Sequence, residues 1–230
     1  MSRKSSELAL TIDSLIRSRT TTRAFRSDSV PRAQLIEILD VARMAPSTFN
    51  TQPWRVQVLM GEEKNSLSKA ILEAHLANSE PPHSAMPSPA PADCAARQDD
   101  FGKRYYSTLG IERTDMVARS IQTARNFVFF DAPVGMIFTI EARLTRHSWV
   151  DYGLFLQNLM LAAHARGLAT CPQVSFVRYE RVIIKHLALS SQEAVVCGMS
   201  LGYADSQAEL NQMKMPRDSM ESFVNWRGFA

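Results

Sequence analysis

At 230 residues, with 45 % hydrophobic and 21 % charged residues, the chain has the make-up of a single soluble globular domain. A net charge of +3 without a basic stripe argues against nucleic acid, and no apolar run is long enough to span a bilayer. Cys94, Cys171 and Cys197 are odd in number, far apart and without a CxxC pair, which argues against a disulfide framework or a metal site and suits a reducing cytoplasm.

The elements follow in chain order. Leu8, Ile12, Leu15 and Ile16 share one helical face, and that helix should stop near Arg17. The stretch Arg17-Ser18-Arg19-Thr20-Thr21-Thr22-Arg23-Ala24-Phe25 comes next, interleaving guanidinium groups with hydroxyls. Pro31 opens a second helix, lined by Leu35, Ile38, Leu39 and Ala42 and closed by Pro46. The segment Ala45-Pro46-Ser47-Thr48-Phe49-Asn50-Thr51-Gln52-Pro53-Trp54 then forms a loop before a strand over 56–60. A helix is expected over 66–77.

Residues 78–93 carry Pro81, Pro82, Pro87, Pro89 and Pro91 and read as an extended insertion within one domain spanning 1–230. A helix over 113–130 and a buried strand over 134–140 follow. The segment 149–166 is apolar around most of its circumference, which predicts an enclosed helix with Gly167 as its left-handed cap. On it, Asp151, Gln157 and Asn158 read as cofactor ligands, satisfied buried groups or interface residues, and His164 reads as a core histidine. Residues 167–176 read as a connecting loop, 178–187 as a helix and 194–203 as a strand. Without βαβ alternation or a GxGxxG turn, the pattern suits an α+β architecture better than a dinucleotide-binding one.

By chemistry alone, the Arg/Thr run is a phosphate cradle or a solvated helix end, and the Pro-Ser-Thr-x-Asn run is a turn or a rigid frame for a planar heterocycle. Their combination and order resemble the FMN-dependent nitroreductase family, the nitroaromatic and nitrobenzoate reductases among them. The second motif matches almost residue for residue. The first departs at Thr20 and Thr21, where a basic residue and a serine are usual.

The resemblance implies a mainly antiparallel central sheet enclosed by helices, in a homodimer with shared flavin sites. It implies FMN as cofactor, with NADPH or NADH as electron donor. Arg19, Thr20, Thr21 and Arg23 would hold the phosphate with Arg217, for which a surface pairing with Asp218 is the alternative; Lys214 is a weaker candidate. Pro46, Ser47, Thr48 and Asn50 would reach the flavin of the neighbouring subunit. Pro172, Val174 and Ser175 would cross one flavin face, the last two offering backbone N–H groups to the reactive edge. Cys171 beside them is a packing cysteine or a redox thiol.

No catalytic triad, paired carboxylates or zinc-type histidine spacing emerges, and none is required where the cofactor carries the chemistry. The function implied is two-electron, ping-pong reduction of a small nitroaromatic acceptor. Tyr105 and Tyr106 read as walls of the acceptor pocket, with Lys103 or Arg104 attracting an acidic substituent or the NADPH phosphate; packing of a surface helix is the alternative for all four. Quinone or flavin reduction, reductive dehalogenation and a non-catalytic FMN-binding module are the alternatives.

Overall fold

The computed structural model describes residues 3–81 and 87–229. Four strands form one antiparallel sheet, β1 (Arg55–Met60), β2 (Val134–Glu141), β3 (Ala169–Gln173) and β4 (Glu193–Gly202), in the order β1-β2-β4-β3. β2 and β4 are central, with Met136 facing Met199 and a bulge between Phe138 and Thr139. Both read as near-continuous apolar runs because both faces of the sheet are covered. The described chain is therefore α+β, as the sequence pattern predicts, with the antiparallel sheet that the resemblance implies.

On one face lie α2 (Arg32–Ala42) and α6 (Arg146–His164), which pack Ile38, Phe155 and Leu159 onto Met136 and Met199. On the other lie α3 (Gly61–Leu76) and α7 (Glu180–His186), which pack Leu67, Ile71 and Ile183 onto Ile137 and Val195. Gly198 is needed in β4 because a Cβ there would lie 2.4 Å from the buried ring of Phe176. Phe176 sits in the 3₁₀ run 174–179 that leaves β3, so this close approach fixes where β3 ends.

Several expectations need correction. Residues 167–176 hold an edge strand, not a loop: Pro172 pairs in register with Met199. An edge strand tolerates a residue with no N–H because one side of its ladder is free. The helix expected to run to Phe130 is α5 (Met116–Ala124), capped by the Asp115 side chain accepting from the Ala118 N–H at 2.9 Å. It gives way to a 3₁₀ run in which Phe129, Phe130 and Asp131 take φ near +50°, turning the chain into β2.

Of the Pro-rich insertion, residues 82–86 lie outside the described residues, and α4 (Ala92–Thr108) begins directly after Pro91. The sequence reading set no bounds for that helix. α6 is not enclosed within one chain: Trp149, Val150 and Leu154 are exposed along its outer face. α1 (Arg3–Ser18) likewise leaves Leu8, Leu10, Ile12 and Ile16 in the open. Among the described residues no helix is long and apolar enough to cross a membrane.

Candidate active site

The Arg/Thr segment leaves α1 and is stitched to the sheet edge. The Thr22 N–H donates to the Thr170 carbonyl at 3.0 Å, and Thr21 bridges Thr170 in parallel fashion. Farther along, the Arg26 N–H donates to the Tyr203 carbonyl at 2.9 Å. Asn211 clamps the segment between, its Oδ1 accepting from the Arg23 N–H at 2.9 Å and its Nδ2 donating to the Ala24 carbonyl at 2.8 Å. The segment thus fills the free edge of β3, which explains how a proline-bearing edge strand stays covered.

This arrangement opens a cavity of about 210 Å³ lined by Arg19, Thr20, Thr22, His164 and Thr170. Burial holds the Arg19 guanidinium below its ordinary pKa, and the nearby charge of Arg217 adds to the effect. Burial and then Arg19 lower the pKa of His164 in the same way. Asp218 pairs at 2.6 Å with Arg97 of α4, not with its neighbour Arg217 as the surface alternative required.

Arg19 lines this cavity and Arg217, from the other end of the chain, brings its charge close to Arg19; among the described residues neither guanidinium has a carboxylate partner. The Thr170 hydroxyl is buried without a partner. Like charges held together beside an unsatisfied hydroxyl fit an anion carrying several acceptor oxygens. The donor set thus fits the phosphate of FMN.

His164 is not the core histidine that the sequence suggested. It is half-buried, lies 2.9 Å from the Ser18 hydroxyl and lines the cavity. Thr22, Thr170, His164 and Asn211 were all missed, because nothing in sequence shows that β3 and the end of α6 meet the Arg/Thr segment.

The other predicted residues lie elsewhere. Arg23 turns away from Arg19, with its guanidinium 5.4 Å from the Phe101 ring and 5.2 Å from the Tyr105 ring. Tyr105 is only 7 % exposed, and its hydroxyl accepts from Gln122 Nε2 at 2.7 Å. Tyr106 is half-buried beneath the Arg119 guanidinium, 3.9 Å from its ring centroid. Lys103 and Arg104 are paired along α4 with Asp99 and Asp100.

Cys171 is buried, and burial pushes its thiol up to about 11, so it stays protonated and inert as a packing residue. Val174 and Ser175 open the 3₁₀ run after β3. The first N–H groups of such a run have no partner within it. The Ser175 hydroxyl is also buried without a partner. At ~3.3 Å per residue, Val174 lies about 13 Å along the chain from Thr170.

The loop bearing Pro46, Ser47, Thr48 and Asn50 sits apart from all of these. The Thr48 N–H donates to Asp151 Oδ2 at 3.0 Å, and the Ser47 hydroxyl accepts from the Gln52 N–H at 3.0 Å. Asp151 is 5 % exposed, so it is a satisfied buried group, one of the alternatives read from the sequence. Phe49, Asn50 and Gln52 all take positive φ, and Phe49 is 98 % exposed. Asp151 and His164 are thirteen residues apart on α6. At ~1.5 Å per residue, the loop and the cavity are anchored about 20 Å apart in one chain.

Comparison with known proteins fits this geometry. Residues 16–203 match the description of the Nitroreductase family. The chain is 45 % identical to a 4-nitrobenzoate reductase of Pseudomonas putida over 94 % of its own length and 96 % of the relative's. It is 43 % identical, with the same coverage, to a chloronitrobenzene nitroreductase of Comamonas testosteroni. The crystal structure of the FMN-dependent nitroreductase NfnB from Mycobacterium smegmatis, in complex with NADPH, superposes with a TM-score of 0.91 at 30 % identity. That match covers 96 % of this chain and 99 % of that one.

Proposed function

The chain belongs to the nitroreductase family, and on that premise we propose that it is an FMN-dependent oxidoreductase that uses NADPH to reduce nitroaromatic compounds. The observation that carries the reading is the cavity in which Arg19 lies beside Thr170, with the charge of Arg217 close enough to act on Arg19. Bound there, FMN would supply the two-electron redox chemistry that links the nicotinamide donor to the nitro acceptor.

The protein's part is to bind, orient and polarise. Arg19 and Arg217 fix the phosphate by charge-assisted hydrogen bonds, Thr20 and Thr22 line the cavity around it, and Thr21 ties the segment to Thr170. β3 directs the chain away from that anchor, so Pro172 and the N–H groups of Val174 and Ser175 fall on the ring side. Donors fixed there stabilise negative charge developing at the reactive edge. The direction taken by Arg23 supports placing it at the ring end too, steadied by Phe101 and Tyr105. No side chain is assigned as an acid, since solvent can deliver the protons that accompany conversion of nitro to nitroso and then hydroxylamino.

The loop of Pro46, Ser47, Thr48 and Asn50 completes the site of a second copy in this reading. Its distance from the cavity in its own chain supports this, as does the exposure of Phe49. A homodimer would also cover the open faces of α1 and α6 and the apolar tail residues Met220, Phe223 and Trp226. We place the enzyme in the cytoplasm, where its free cysteines stay reduced.

The discriminating experiment is initial-rate kinetics with NADPH and a nitrobenzoate. Because donor and acceptor use one cleft in turn, reciprocal plots at several fixed acceptor concentrations should run parallel. Absence of acceptor-dependent NADPH oxidation would leave only an FMN-binding module.

A further inference from the structure

A larger cavity, about 580 Å³, lies on α4 and the segment after it, and it shares no residue with the phosphate cavity. Along α4 its wall is the stripe Ala95, Asp99, Gly102, Tyr106, and it is closed by Arg113 and Arg119. Phe101 and Tyr105, which hold Arg23, form a different stripe of the same helix. One face of α4 therefore touches the flavin-side arginine while another faces the large cavity.

The charges of this cavity are unevenly matched. Lys103 Nζ and Arg113 Nη1 both lean on Asp99, at 2.7 and 3.5 Å, so one carboxylate serves two cations. Arg119 sits over the Tyr106 ring and has no carboxylate partner among the described residues. A guanidinium held over a ring by cation–π attraction keeps its N–H donors available for a bidentate anion. Three cations stand against two carboxylates, Asp99 and Glu112, which suits a doubly charged phosphate monoester.

We propose that this cavity seats the 2′-phosphate end of NADPH, with Arg119 as the residue that distinguishes NADPH from NADH. A nitroaromatic acceptor is much smaller than this cavity and carries no phosphate to engage Arg119, Arg113 and Lys103 together. A dinucleotide is long enough to put its nicotinamide at the ring side of α4 and its adenosine on the outer face. The inference rests on the reading of the chain as an NADPH-dependent flavoenzyme.

The test is rapid-reaction reduction of the flavin-loaded protein by NADPH and by NADH at subsaturating donor. The unsubstituted protein should favour NADPH by about tenfold or more, and Arg119→Ala should lower the NADPH-to-NADH ratio by about ten- to a hundredfold, the worth of one charged hydrogen bond. Arg119→Lys should recover part of the ratio. Lys103→Ala, on the exposed side of α4, should lower it by a smaller factor and serves if Arg119→Ala fails to fold. A ratio that stays within about threefold in both alanine variants, or an unsubstituted protein indifferent to the phosphate, overturns the assignment. Reduction by both donors at equal rates defeats the cavity while leaving the enzyme reading intact; reduction by neither defeats both.

Discussion

Arg19→Ala and Arg217→Ala should each yield folded protein that binds FMN about ten- to a hundredfold more weakly, and the double variant should emerge from purification without flavin. Each substitution removes a charged hydrogen bond worth about 1.5–3 kcal/mol. The two groups serve one phosphate, so their effects should not simply add. In the free protein Arg19 is held down by burial and by the charge of Arg217, so removing either relieves a repulsion. The melting temperature of flavin-free protein should therefore hold or rise, while the gain on adding FMN, which follows RT ln(1 + [L]/Kd), should shrink. Flavin occupancy that survives in the double variant would mean that the phosphate lies elsewhere.

Leu154→Glu should split the dimer and release the flavin together. Leu154 is 42 % exposed on the open face of α6, beside Trp149 and Val150. A carboxylate left unpaired in an apolar interface costs about 3–5 kcal/mol, weakening association by roughly two to three orders of magnitude. If the loop of Ser47 and Thr48 serves the site of a second copy, flavin content should fall in step with the dimer fraction. Light scattering with absorbance detection measures both in one run. A monomer that keeps its flavin would refute the shared site.

The two central strands and most helices were legible because burial on both faces of β2 and β4 makes long apolar runs, and because proline marks helix starts at Pro31. β3 was not legible: five residues containing a proline look like a connection unless their partner strand and the covering Arg/Thr segment are known. α4 was hidden for a related reason. The prolines before it suggest continued extension, and its polar sequence shows no apolar stripe strong enough to oppose that.

At the site, the motif singled out Arg19, which lines the cavity. His164 and Thr170 were not readable, because their role depends on which elements meet. The enclosure expected of α6 was a correct reading of its composition but a wrong one for a single chain. Its outer face is apolar yet open in one chain, at Trp149, Val150 and Leu154.

The most direct measurement is anaerobic titration of the purified protein with NADPH, followed in the visible spectrum. Flavin bands that bleach with one equivalent of NADPH per bound FMN, and return in full when a nitroarene is added, are the predicted result. A colourless protein that takes up no FMN, or a bound flavin that NADPH leaves oxidised, would contradict the account.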